Sequence, residues 1–410
     1  MRIGLLAACA WGVACSAAAD PWFRDVTGTH LPPAPEAGYA TMDAVAADLD
    51  GDGDLDLVTP QEWRANRILL NDGGGRFVLA EGALPPIPES ELVRPAHIQR
   101  ALMKDSEDVS IADFDGDGVP DFVIVTEDDV RLGRSNVHQY YRGLGGNRYE
   151  RRNGALPDTV ANAVAHADVS GDGALDLIIS GDGQDRMLIN DGRGGFIDET
   201  EARIPREAAV AQDVQFFDAD GDGDLDIVLG LEGGHALWIN NGAGVFEDES
   251  RARLPAPGNV EARKVVPADV DGDGDLDLYF AHVSWQGRAP QDRLFINDGR
   301  GRFSDGTAAR LPQGDLLSLD AAFADLDGDG DLDLVQGNGG SVRVYANDGG
   351  GRFSDVTVQA LGVDVPGTSI TVEVADFNGD GRPDIFIGQL ALPGGGAAQD
   401  RLFLNIRRRR

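Results

Sequence analysis

One short pattern governs what this chain can become. The nine-residue unit D-x-D-G-D-G-x-x-D begins at Asp48, Asp113, Asp168, Asp218, Asp269, Asp325 and Asp376, with Ser170 and Asn378 at the third position of the third and seventh copies. Copies start roughly 50 to 65 residues apart, and two further markers keep step with them. A glycine turn ending in an aromatic residue runs Asn71 to Phe77, Asn190 to Phe196, Asn240 to Phe246, Asn297 to Phe303 and Asn347 to Phe353, with a degraded copy from Gly143 to Tyr149. An aliphatic residue before proline follows at Leu84, Leu156, Ile204, Leu254 and Leu311. A period of this length, marked three times over, excludes a single irregular core and implies a repeat architecture.

Each period holds four short strands. Small residues such as Val45-Ala46-Ala47 precede the aspartates, and an apolar run such as Leu225-Asp226-Ile227-Val228-Leu229 follows them. Such runs, bounded by turn residues, suit strands buried on both faces. A third strand ends at the asparagine of the glycine turn, and the aromatic residue opens a fourth. Four strands per period, repeated radially, predict an all-β, seven-bladed β-propeller over residues 20–406. The last repeat stops at Asn405 without its turn and aromatic strand, and the missing piece stands at the other end: Phe23-Arg24-Asp25-Val26-Thr27 matches Phe353-Ser354-Asp355-Val356-Thr357. The N-terminal segment is therefore expected to supply the outer strand of the seventh blade, in preference to an open solenoid with frayed ends.

Every loop offers carboxylates at positions 1, 3, 5 and 9, two glycines that let the backbone wrap, and a carbonyl at position 7. Loop 1 presents Asp48, Asp50, Asp52 and Asp56, with the carbonyl of Asp54. Loop 2 presents Asp113, Asp115, Asp117 and Asp121, with that of Val119. Loop 3 offers Asp168, Ser170, Asp172 and Asp176, with Ala174, and loop 4 Asp218, Asp220, Asp222 and Asp226, with Asp224. Loop 5 has Asp269, Asp271, Asp273 and Asp277, with Asp275, and loop 6 Asp325, Asp327, Asp329 and Asp333, with Asp331. Loop 7 has Asp376, Asn378, Asp380 and Asp384, with Arg382. Hard oxygens without His or Cys select calcium, up to seven ions, over magnesium. An EF-hand is excluded, because its position 12 needs Glu and these loops carry Thr59, Ile124, Ile179, Leu229, Phe280, Gln336 and Ile387 there. Without a cation, each like-charge pair at about 4 Å costs about 1–4 kcal/mol. Loop 3, short of one charge, is expected to bind most weakly.

The 35 Lys+Arg residues stand against 70 Asp+Glu, a net charge of -35, which argues against nucleic acid and anionic membranes as partners. Arg2, an apolar run and Ser16-Ala17-Ala18-Ala19 read as a signal peptide over residues 1–19, placing the chain in the periplasm, at the cell surface or outside. A lipoprotein anchor at Cys9 or Cys15 is the alternative, each with a flawed lipobox. No other segment is long and apolar enough to span a bilayer. Both cysteines lie in that leader, so the mature chain would hold none.

The joined aspartate and glycine motifs resemble the FG-GAP and VCBS repeats, whose best-known member is the propeller of integrin α subunits, from about Trp22 to Asn405. The resemblance implies calcium between the first two strands of each blade. It also implies adhesion, ligand binding or support of an enzyme, with polysaccharide lyases among related propellers. A binding module for a protein or polysaccharide, working as a monomer, is the reading favoured here. An extracellular polysaccharide-degrading enzyme and a structural surface protein are the alternatives. Length variation concentrates on the loops opposite the aspartates, which makes Arg94, His97, Arg100, Arg131, Arg134, His138, His282, Trp285 and Arg288 candidate ligand contacts. Tyr140 and Tyr141 join the histidines as candidate catalytic bases for the enzyme alternative. Arg407 to Arg410 form a basic tail, expected to be solvated.

Overall fold

The computed structural model describes residues 20–92, 104–206, 209–256, 258–284, 290–314, 316–391 and 398–407. Its strands form seven antiparallel four-stranded sheets arranged as a ring, a seven-bladed β-propeller. Blade 1 runs from the axis outward through Val45–Ala47, Asp56–Thr59, Arg67–Asn71 and Phe77–Leu79.

The second strand of each blade explains its apolar run. Successive side chains of a strand point to opposite faces, and both faces of a blade meet a neighbour. Leu57 thus joins the core between blades 7 and 1, and the adjacent Val58 joins the core between blades 1 and 2. Leu177 and Ile178, Ile227 and Val228, and Leu334 and Val335 divide in the same way. The ring has no single core but an apolar cluster at each blade-to-blade interface.

Closure follows the expected route. Phe23–Asp25 pairs antiparallel with Arg401–Asn405, setting Phe23 opposite Asn405 and Asp25 opposite Phe403. Trp22 and Phe23 are buried in the cluster between blades 6 and 7, while Val26 and Leu31 enter the one between blades 7 and 1. The N-terminus thus serves two interfaces at once.

Two features were not foreseen. One-turn helices follow five of the outer strands: Thr27–His30, Thr200–Arg203, Ser250–Arg253, Thr307–Arg310 and Thr357–Leu361. In the four at Thr27, Thr200, Thr307 and Thr357, the leading threonine's hydroxyl accepts the N–H of Leu402, Met187, Leu294 or Val344 on the third strand, which anchors the turn. Near the axis, carboxylates tie one inner strand to the next: Asp108 accepts from Val164 N at 2.8 Å, Asp213 from Val265 N at 2.8 Å and Asp320 from Val372 N at 2.6 Å. Lys264 lies between Asp213 and Asp320 at 3.5 and 3.9 Å.

Candidate metal centres

Each aspartate loop is wound by its own first carboxylate. Asp48 accepts the N–H of Gly51 at 2.8 Å and of Gly53 at 3.1 Å, and Asp218 does the same for Gly221 and Gly223. The two glycines of loop 1 sit at φ of 87° and 96°, left-handed conformations that a Cβ would oppose. Position 5 accepts from the N–H of position 7, as Asp52 does from Asp54 at 3.0 Å. The resulting curl aims the remaining oxygens inward. In loops 1, 2 and 4, carboxylate oxygens of positions 1, 3 and 9 lie within 4.8 Å of one another, and in loop 5 those of positions 1, 3 and 5 do.

Position 9 has a second task. Asp56 is buried and receives the N–H of Leu49 at 3.1 Å and of Asn71 at 2.8 Å, joining the loop to the third strand of its own blade. The same pair of bonds recurs at Asp121, Asp176, Asp226, Asp277, Asp333 and Asp384. Burial pushes these carboxyls up, to about 6 at Asp56 and Asp121 and about 7 at Asp226, Asp277, Asp333 and Asp384. Their backbone hydrogen bonds oppose that rise, and the neighbouring loop carboxylates add to it.

The loops fit a metal ion by one further observation. At position 3, Asp220 Oδ1, Asp271 Oδ1, Asp327 Oδ1 and Ser170 Oγ are buried and have no hydrogen-bond partner. An orphaned buried oxygen is costly, and here it recurs at the same place in four consecutive loops. Several of these clusters can hold a metal ion.

Sequence reasoning missed the role of the asparagine that opens the glycine turn. Asn347 donates through Nδ2 to Val270 O of blade 5 at 2.8 Å and to Leu332 O of its own loop at 3.1 Å. Its Oδ1 accepts from Gly349 and Gly351. Asn71, Asn190, Asn297 and Asn405 likewise reach the second residue of the preceding loop, at Phe377, Phe114, Ala219 and Leu326. Five of the aspartate loops, those of blades 2, 4, 5, 6 and 7, are therefore clamped to the next blade. An arginine before the aliphatic-proline marker adds a charge to the clamp. Arg253 contacts Asp220 at 3.2 Å and Arg310 contacts Asp271 at 2.9 Å, each also donating to a carbonyl in the next glycine turn. The recurring Ala-Arg-aliphatic-Pro at 202–205, 252–255 and 309–312 was the signal available for it. The sixth loop takes its arginine from the tail: Arg407 contacts Asp327 at 2.9 Å and stacks on Trp22 at 4.0 Å. The tail's first residue is thus docked, not solvated; residues 408–410 lie outside the described residues.

FG-GAP-like repeats match residues 48–124, 168–229, 218–280, 283–336 and 325–387. The chain belongs to the FG-GAP repeat family. A search of curated proteins finds no match. Among solved structures, this FG-GAP propeller is similar to an Agrocybe aegerita lectin whose structure concerns recognition of non-reducing terminal N-acetylglucosamine (TM-score 0.50, 21% identity, 78% of this chain and 81% of that one). It is also similar to BBS1N in complex with ARL6DN (0.56, 14%, 95% and 98%). The extracellular domain of BT4673 from B. thetaiotaomicron is a third (0.54, 14%, 93% of this chain and 39% of that one). At these identities the likeness is one of fold.

On the opposite face, the candidate ligand contacts of this FG-GAP chain fare unequally. Arg94, His97, Arg100, Trp285 and Arg288 lie outside the described residues. Arg131 is half-exposed but engaged, reaching Glu127 and Asp128 at 2.9 Å and Asp182 at 2.5 Å. Arg134 donates to Ser90 O at 3.3 Å. Two expectations are corrected. His138 is buried, accepts Thr126 N at 3.2 Å and pairs with Thr159 Oγ1, and His282 is wholly buried against Gln291 O at 3.0 Å. Burial holds the two imidazoles down, to about 3 and about 4, so both are neutral packing residues. Tyr140 and Tyr141 are likewise core residues whose hydroxyls burial raises. Among the described residues, no helix is long and apolar enough to cross a membrane.

Proposed function

We propose that this chain is an exported calcium-binding propeller that serves as a binding module for a protein or a polysaccharide, docking its ligand on the face opposite the aspartate loops. The orphaned position-3 oxygens, which at Asp220 and Asp271 belong to carboxyls clustered with two further carboxylates, carry the calcium part of this reading. Four or five hard oxygens per loop, with water completing the shell, match the demands of calcium. The ion would neutralise the loop carboxylates and stiffen the clamp to the next blade, and the first and third strands' connections would be fixed from one side. That leaves the other face to vary on a rigid base, the arrangement that suits recognition. The lectin and the BBS1N complex are fold relatives described by what they bind, which supports a binding role by analogy. His138, His282, Tyr140 and Tyr141 are committed to packing, which removes four candidate bases from the polysaccharide-cleaving alternative.

The test uses the exported protein, whose intact mass is expected to begin at Asp20. Glycan and protein arrays are probed in calcium and again in EDTA. Retention of one ligand class in calcium, lost in EDTA, with no new reducing or unsaturated ends, is the expected result. Release of such ends would identify an enzyme instead.

A further inference from the structure

Blade 2 carries a second kind of carboxylate cluster, at the end of its strands away from the metal loop. Asp105 leads into the inner strand Ser106–Ala112, and Glu127 and Asp128 follow the second strand Asp121–Thr126. Loop 2, Asp113 to Asp121, joins the other ends of these two strands. Seven strand residues at about 3.3 Å each put about 23 Å between the cluster and that loop. Oxygens of Asp105, Glu127 and Asp128 nevertheless lie within 4.8 Å of one another.

The arrangement lacks a charge. Asp105 is 3% exposed, its backbone N–H donates to Asp129 Oδ2 at 3.3 Å, and its own Oδ2 accepts Asp128 N at 3.2 Å. Its Oδ1, buried with that carboxyl aimed at Glu127 and Asp128, has no hydrogen-bond partner. Glu62 of blade 1 adds a like charge, bridged to Asp105 through the backbone, and burial together with that charge pushes the Asp105 carboxyl up. The nearby cations are spoken for. Lys104 pairs with Asp129 at 4.0 Å and donates to Asn136 O, while Arg131 spans Glu127, Asp128 and Asp182. Leaving a buried carboxylate oxygen without a counter-charge is strongly unfavourable.

We propose that Asp105, Glu127 and Asp128 hold an additional divalent cation of the calcium type on the face opposite the seven loops, with Arg131 as its built-in competitor. The ligands come from the connection entering blade 2 and from the loop between its second and third strands. An ion there would fasten these two segments of the irregular face to each other. Arg131 is 39% exposed at its side chain, so its contacts are screened and yield to a divalent ion more readily than a buried pair would.

The full mature chain is titrated with calcium alone and its bound ions are counted by native mass spectrometry. Asp105→Asn is expected to bind one ion fewer than the unchanged protein. Arg131→Gln, at a half-exposed position, is expected to keep the full count and tighten the added site by about tenfold, since two competing contacts are lost. The difference between variants isolates this site from the seven loops: were those loops to bind nothing, the unchanged chain would still hold one ion and Asp105→Asn none. Equal counts in Asp105→Asn and the unchanged chain, or an Arg131→Gln titration that overlays the original, would overturn the assignment. If Asp105→Asn fails to fold, the Arg131→Gln titration decides alone.

Discussion

Blades 2 and 6 are built from the same four strands and the same nine-residue loop, yet they are held in different ways. In blade 6, Asn347 ties its own loop and glycine turn to blade 5, and Asp327 is met by an arginine from the tail. Blade 2 has Gly143 in place of that asparagine and so lacks the side chain that makes this clamp. In its stead Arg142 lies over the loop, contacting Asp115 and reaching Asp117 at 2.8 Å. The buried Asp121 still receives Gly143 N at 2.7 Å and Phe114 N at 3.1 Å. The loop's shape therefore comes from its own backbone and its ninth residue, whereas the bond to the neighbouring blade is a separate device. One can be lost while the other survives.

The largest expected effect concerns every loop together. A ligand at 100 times its dissociation constant adds about 2.7 kcal/mol per site. Stripping calcium is therefore expected to lower the melting temperature by about 10 °C or more, and calcium is expected to restore it better than magnesium. Within that response, loop 2 rather than loop 3 should be the last to fill, a change from the order expected from charge count alone, because Arg142 must leave two of its aspartates. Loop 3, short of one carboxylate at Ser170, should be weak as well. A melting curve unmoved by EDTA, in protein shown to be metal-free, would break the shared part of the comparison.

Clamps come next. Asn347→Ala removes four hydrogen bonds from a buried position and is expected to cost about 2–4 kcal/mol in urea unfolding. Gly143→Ala would be harmless if that glycine were a mere lapse in the repeat. A Cβ there would meet Pro120 O at 2.4 Å and Val119 Cγ1 at 2.6 Å, so a loss of about 1–3 kcal/mol is expected instead. An Asn347→Ala protein as stable as the original would show that the ring closes by packing alone.

The smallest effect is one of pH. In metal-free protein the position-9 carboxyls are raised by burial, six of the seven to about 6 or 7 from 3.8. The folded state then binds protons more tightly than the unfolded chain, so this contribution is complete below about pH 4 and is lost as pH rises through 6 and 7. In EDTA the melting temperature should fall from pH 5 to pH 8. In calcium the ion displaces those protons and the slope should flatten or reverse. A metal-free protein that gains stability over the same range would refute the picture of uncompensated loop charge.

The sequence by itself determined the blade count, the four strands, the closing strand at Phe23 and the seven loops. Each of these is written within a few consecutive residues, and strand alternation or turn chemistry makes such signals local. Only the tertiary structure decided what those residues touch. The partner of Asn347 lies 77 residues away, and nothing near the asparagine names it. His138 and His282 stand in sequence where loops lengthen, yet the ring folds them into its interior, His282 near the end of the second strand Asp277–Val283 and His138 just before the third strand Gln139–Gly143. Asp105, Glu127 and Asp128 look in sequence like ordinary surface acids and become a cluster only when the second strand returns to the start of the first. Local chemistry repeats along the chain and can be read there, but charge balance and burial are sums over neighbours, and closing the ring is what selects them.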